Sequence, residues 1–599
     1  MTEESLHKPS SKWINRGFSI LLFIGTGLIV AWQNFRLTVL YDLCGVLENA
    51  QRISLGDVPY RDFPFPYAPL TFLIQAAIIK LTGAVFWHQI LYCAIVGGLG
   101  TILTRQIIFN VLRGKIPSAH LMSFLLTAPL VILGIYCIFP HPFYDPDSVF
   151  IILVCFLLLQ YLERKNFPNL PTFFAGMLMI LPLFSKQNIG LAFLGTSVLS
   201  LLVLIGVNYR RKESVRPYLL LLTGAATGFG AAVLIIHLTA GLCNYWFWTM
   251  TYAQMRRTPS FGEMLSIYAD WSLLLWAVLF VFGVILFWKN EAQRIRQNMA
   301  AIILMAMPFV WTIFYLLLDA DASERAERLV GIFPFVFIAA FIIGIISLRR
   351  VSGINSFLPF ILIGTMHGVF LSQQLWGSTY AVWALLLILT ATVLPFLHQI
   401  SKTEAARWLT AFSAIICIAL LISGGFYVYS NERLDYVSFD DGEMAHSTLP
   451  PLKGLSMRGS YIPDFEELVD YTNKNIPPDD GILMLPGEDL FNYTTGRHPH
   501  FSVLLFDVTN NPLSAEQILE QVKERDIRWL IVKNDLEIQI DKTIDDKDHI
   551  VEVLKPEFKH LESLNNYEIY RRRTAADAND DEDSDDSDDS DDDSSDEVR

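Results

Sequence analysis

Residues Tyr41 to Leu70 read YDLCGVLENAQRISLGDVPYRDFPFPYAPL, a polar stretch set between two apolar ones. A stretch between two membrane spans lies at a membrane face, yet this one carries Asp42, Glu48, Arg52, Asp57, Arg61 and Asp62. The Gly-Asp-Val-Pro-Tyr centre predicts a turn, and Pro64, Pro66 and Pro69 forbid one continuous helix. The aromatic residues between those prolines suit the level of the lipid headgroups. Short interfacial helices around a polar site are therefore expected here.

Outward from this stretch the chain is dominated by apolar runs. It has 599 residues, of which 52% are hydrophobic, and its mean hydropathy is +0.39. A helical crossing takes about 20 apolar residues. Spans are expected over 17–33 and 85–106, then near 119–139, 148–163, 170–185, 188–207, 218–239, 270–288, 299–318, 330–347, 355–371, 380–397 and 408–428. That makes about thirteen, with Pro69–Thr82 too short and lying on the interface. No small-residue cleavage pattern follows the first span, so it reads as an anchor preceded by a cytoplasmic segment, 1–16.

Charge orients these spans. With the N-terminus inside, every inner loop is basic: Arg113 and Lys115; Arg164 and Lys165; Arg210, Arg211, Lys212 and Arg216; Lys289, Arg294 and Arg296; Arg349 and Arg350; Lys402 and Arg407. The positive-inside rule then puts the first polar loop, 35–84, and everything after 428 on the extracytoplasmic side. Formal net charge is −15, but 574–599 hold fourteen acids and one Arg. That low-complexity tail is expected to be disordered. Between it and the transmembrane domain, 17–428, residues 429–573 carry helical spacing in FEELVDYTNKNI and SAEQILEQVKERDI. GILMLPG, RWLIVKN and YEIYRRR read as strands, so a small α/β domain is expected. Asn492-Tyr493-Thr494 fits an N-glycosylation acceptor, a weak three-residue match.

The outer loops collect Asp145 and Asp147 in HPFYDPDS, Lys186 in FSKQNIG, Arg256 and Arg257, and Arg325 and Arg328. Basic residues at outer span ends call for an anionic partner, and a lipid phosphate is available there. The bland alternative is that they snorkel or pair with Asp319, Asp321, Glu324 and Glu327. The six Cys show no metal-ligand spacing and no disulfide framework, with a Cys44–Cys243 bridge left open. Dispersed basic residues on an acidic chain exclude nucleic acid as a partner.

An Asp shortly after the first span, the segment GDVPYRDFPFPYAPL, DPDSVF opening the fourth span, many spans and an outer C-terminal domain resemble the GT-C glycosyltransferases. Within them the chain is similar to the bacterial protein mannosyltransferase-like, aminoarabinose transferase-like and Rgt-type group. The adjacent acidic pair common in that first loop is here Asp42-Leu43.

The resemblance implies an integral protein of the bacterial inner membrane that moves a sugar, with inversion, from a polyprenyl-phosphate donor to a lipid, glycan or protein acceptor. It implies Asp42 as general base, with Asp147 binding the acceptor or a sugar hydroxyl, or orienting a cation. Lys186, Arg256 and Arg257 would hold the donor phosphate. Glu48, Asp62 and Asp145 are alternative acids, although Glu48 also suits a helical pair with Arg52, and Asp62 a turn cap. His141 reads either as a proton carrier or as a structural hydrogen-bonding residue. No cofactor is called for, and a divalent cation is allowed without any ligand set that demands one. Two other readings stay open, a transporter and a non-catalytic subunit of envelope glycan export or assembly. A transporter should carry ionisable groups near the bilayer midplane, whereas these sit at span ends.

Overall fold

A computed structural model describes residues 9–257, 262, 265–289, 295–318, 331–348, 353–371, 381–401, 405–429, 442–507, 510–536 and 547–574. Among the described residues, eight helices are long and apolar enough to cross a bilayer, and five further apolar helices are shorter. The chain is an integral, multi-pass membrane protein with a small C-terminal α/β domain, the architecture its hydropathy and strand patterns lead one to expect. The acidic tail, the acids and Arg residues of 319–330, and Arg294, Arg349, Arg350 and Lys402 lie outside the described residues.

In chain order the elements that position the site are α1 (Pro9–Asn34), α2 (Leu40–Leu55), α3 (Leu70–Thr82), α4 (Phe86–Leu112), α5 (Ala119–Thr127), α6 (Leu130–Leu133), α7 (Tyr144–Arg164), α8 (Asn169–Leu178), α9 (Leu181–Ser185), α10 (Gln187–Arg210) and α11 (Arg216–Thr239). The run 41–70 does split where its turn and proline residues predict. α2 stops at Gly56, which takes the left-handed conformation (φ +118°) that glycine adopts without steric cost. A turn and an extended proline segment follow, and α3 begins directly after Pro69.

The span expected near 119–139 is broken. α5 ends before Pro129, which has no N–H to continue the ladder, and α6 lasts four residues. At Gly134 a Cβ would fall 2.2 Å from the Leu130 carbonyl oxygen, so only glycine permits the sharp exit there. Residues 134–143 then run irregularly to the start of α7. A second break lies between α9 and α10. A Cβ at Gly190 would meet the Leu183 backbone at 2.2 Å, so the glycine lets the first turn of α10 close onto α9 with Lys186 at the joint.

In the C-terminal domain, β1 (Met444–His446) pairs with β2 (Ser456–Arg458). β3 (Gly481–Leu485), β4 (Ile527–Lys533), β5 (Phe558–Ser563) and β6 (Tyr567–Arg572) form a sheet of order β3-β4-β6-β5. β3 and β4 run parallel and the other neighbours antiparallel. All three strands read from the sequence are present. β1, β2 and β5 were not legible, being short or, in β5, exposed along most of its length. The helix Ala515–Glu524 starts with a capping box between Ser514 and Gln517, which satisfies two otherwise orphaned backbone donors.

Candidate active site

Asp42 lies half-buried in the first turn of α2, where a carboxylate meets the positive end of the helix dipole. The start of this helix is fastened from outside. The backbone N–H of Val39 donates to His141 Nε2 at 3.0 Å, and His141 Nδ1 lies 3.0 Å from Asn34 Oδ1. Because Nε2 accepts, the proton of the neutral ring belongs on Nδ1, which donates to Asn34. Asn34 in turn donates to the carbonyls of Val30 and Pro140. His141 is fully buried and joins the end of α1, the start of α2 and the approach to α7. This is the structural alternative of the two readings open for it.

Four residues beyond His141, Asp145 sits in the first turn of α7 and pairs with Lys186 Nζ at 2.5 Å. The ammonium also lies 5.0 Å from the centre of the Tyr144 ring. Tyr144 stacks on Phe143, with centroids 4.1 Å apart, and faces Tyr67 at 5.5 Å. The proline segment is tied to the same place, since Gln187 donates to the Pro66 carbonyl at 3.3 Å and Tyr60 donates to the Tyr67 carbonyl at 2.6 Å. Tyr60 makes an edge contact with Tyr245, 5.0 Å between centroids, on the short helix Leu242–Trp246. One cation thus lies against Tyr144, in an aromatic wall drawn from three separate stretches of chain.

Asp147 is held by three hydroxyl groups. It is buried, and its carboxylate accepts from Tyr136 at 2.6 Å, Tyr92 at 2.7 Å and Thr71 at 2.9 Å. Three hydroxyls from three separate stretches tie α3, α4 and the 134–143 segment to the head of α7. The backbone at Tyr136 is held at φ +63°, a left-handed conformation costing a non-glycine residue roughly 1–2 kcal/mol. That strain delivers its hydroxyl to Asp147. An acid so engaged joins three elements of the scaffold at the head of α7.

Glu48 and Arg52 do not pair with each other. Glu48 accepts the backbone N–H of Asn492 at 3.1 Å, its side-chain amide at 2.8 Å and the backbone N–H of Tyr493 at 2.8 Å. Arg52 binds Asp57 at 2.6 Å and donates to the carbonyls of Phe501 and Ser502. Asp57 also meets His498 at 3.0 Å. Burial pushes the Glu48 pKa up to about 7 despite the donors from Tyr493 and Asn492, and Asp489 adds to the rise. The oxygens of Glu48 thus face donors of the C-terminal domain. Asp62 caps its turn, accepting from the Val58 N–H at 2.7 Å and from Arg61. The glycosylation reading of Asn492 also gives way, because its amide is spent on Glu48 and Thr494 is buried.

Arg256 and Arg257 fall on the short helix Ala253–Arg257, but their side chains lie outside the described residues. Cys44 is buried, Cys243 is exposed, and no disulfide joins them. Among the described residues no group of three or more His, Cys, Asp or Glu is gathered to hold a metal ion. Sequence reasoning missed Thr71, Tyr92, Tyr136 and Tyr144. Only Tyr144 carried a signal, the aromatic residue directly before Asp145.

No family model matches the chain, and no curated protein matches it in sequence. Among solved structures it is similar to ArnT from Cupriavidus metallidurans bound to undecaprenyl phosphate, with a TM-score of 0.45 and 10% identity over 93% of this chain and 98% of that one. It is also similar to the archaeal oligosaccharyltransferase AglB from Archaeoglobus fulgidus in complex with an inhibitory peptide and a dolichol-phosphate. There the TM-score is 0.45 with 11% identity, over 87% of this chain and 70% of that one.

Proposed function

We propose that this chain is a membrane glycosyltransferase that moves a sugar from a polyprenyl-phosphate donor to a lipid, glycan or protein acceptor on the extracytoplasmic face of a bacterial inner membrane. The N-terminus is cytoplasmic and the C-terminal domain extracytoplasmic on this reading, as the basic inner loops require. The observation that carries the proposal is the bond between Val39 and His141. Asp42 lies three residues beyond one end of it and Asp145, the partner of Lys186, four beyond the other. A carboxylate and a cation are thereby set at the same end of the helical bundle.

The chemistry follows from those two charges. Asp42 takes the proton of the acceptor hydroxyl as its oxygen attacks the anomeric carbon. The bond from that carbon to the phosphate oxygen breaks, and the lipid phosphate leaves with the electron pair. Lys186, a compact ammonium steadied by Asp145 and the Tyr144 ring, meets the charge that develops on the phosphate. Arg256 and Arg257 are assigned a share in binding the same phosphate. Attack opposite the leaving group inverts the anomeric centre. The aromatic residues Tyr67, Phe143 and Tyr144 line a partly dry setting in which those interactions gain strength.

Mass spectrometry of envelope lipids, glycans and glycoproteins from cells with and without the gene tests this function. Loss of one sugar from one class is expected, and an unchanged set would overturn the proposal.

A further inference from the structure

α2 presents one face to the C-terminal domain. Cys44, Gly45, Glu48 and Arg52 follow helical spacing, and each meets the segment 487–505, which leaves β3 and wraps around the helix. The Cys44 Sγ lies 3.6 Å from the Gly487 carbonyl oxygen. Leu505 lies against Gly45, 4.0 Å from where a Cβ would be. Glu48 takes the N–H groups of Asn492 and Tyr493, and one turn later Arg52 gives N–H groups to Phe501 and Ser502. The acid reads backbone donors and the base reads backbone acceptors, with both side chains at most 4% exposed. Shifting α2 along its axis would leave buried donors, acceptors and a charge without partners, so the register is strongly fixed.

The geometry points to Glu48 and Arg52 as positioning residues through which segment 487–505 of the C-terminal domain holds α2, and with it Asp42, at the reacting groups. This rests on the reading of Asp42 as the base. The C-terminal domain is then part of the catalytic apparatus without supplying a reacting atom. Asp42 lies fewer than two turns from Glu48, so a tilt or slide of the helix is passed directly to the base.

The test compares Glu48→Ala, Glu48→Gln and Arg52→Ala in the full-length purified protein, with donor binding, kcat and amide hydrogen exchange measured for each. Misplacing a reacting group by about 1 Å costs on the order of 100-fold, so Glu48→Ala should lose about that much in kcat with donor affinity kept. Exchange across α2 should speed up. Glu48→Gln keeps a carbonyl oxygen for the Tyr493 N–H and should recover most of the loss. Equal inactivity of Gln and Ala variants with α2 exchange unchanged would show Glu48 acting on the reacting groups and overturn the inference. Full activity of both Ala variants would do the same. Should Glu48→Ala fail to accumulate, Asn492→Ala removes only the side-chain bond and is read the same way with a smaller effect. An active Asp42→Asn enzyme sinks the assignment of the base, whereas hydrogen exchange reports separately on whether α2 is held.

Discussion

Glu48 on α2 accepts the backbone N–H of Tyr493 at 2.8 Å across 445 residues of sequence. The pKa of this buried acid is raised from 4.5 to about 7, so between those values the docked form holds a proton that an undocked carboxyl releases. Docking of the C-terminal domain on α2 therefore weakens as pH rises through that window. Limited proteolysis should find the domain better protected at pH 5 than at pH 8. Glu48→Gln should flatten the difference, and greater protection at the higher pH would contradict the sign.

His141→Ala should lower transfer and leave donor binding in place. The change strands the buried Val39 N–H and the Asn34 carbonyl, each costing about 1–3 kcal/mol. Thermal unfolding in detergent and single-turnover transfer measure the two effects. Wild-type values for both would show that the joint is dispensable.

The helical membrane body, the broken stretch 41–70 and the α/β character of the C-terminal domain were legible because periodicity and proline positions are local signals. The span over 119–139 was misjudged because Pro129 and Gly134 lie within a run whose hydropathy alone suits a crossing. Glu48 illustrates the limit at the site. Its spacing from Arg52 suggested a helical ion pair, but both side chains reach backbone groups more than 440 residues away. The hydroxyls around Asp147 were equally invisible, since Thr71, Tyr92 and Tyr136 come together only when α3, α4 and the 134–143 segment pack on α7.

Topology is open to direct labelling. Cysteines placed at the exposed positions Lys165 and Arg211 should be shielded from an impermeant reagent in intact cells, and one at exposed Lys474 should react. The reverse pattern would put Asp42 and Lys186 on the cytoplasmic side and remove the proposed site from its donor.

Deleting 575–599 should leave transfer within a few-fold of the intact chain. A segment of closely spaced acids repels itself and cannot shape a site. Loss of activity in a deletion that still inserts at normal levels would assign the tail a recruiting role.

The most direct measurement is sugar transfer by purified Asp42→Asn, alongside donor binding and the Lys186→Ala variant. The amide keeps the size of the carboxylate but cannot take the acceptor's proton, and general-base catalysis is worth about 100- to 10,000-fold. Asp42→Asn should therefore bind donor normally and turn over at least 100-fold more slowly, as that range requires. Lys186→Ala should weaken donor binding as well as slow the departure of phosphate. Near-normal transfer by Asp42→Asn would contradict the assignment of the base at the head of α2.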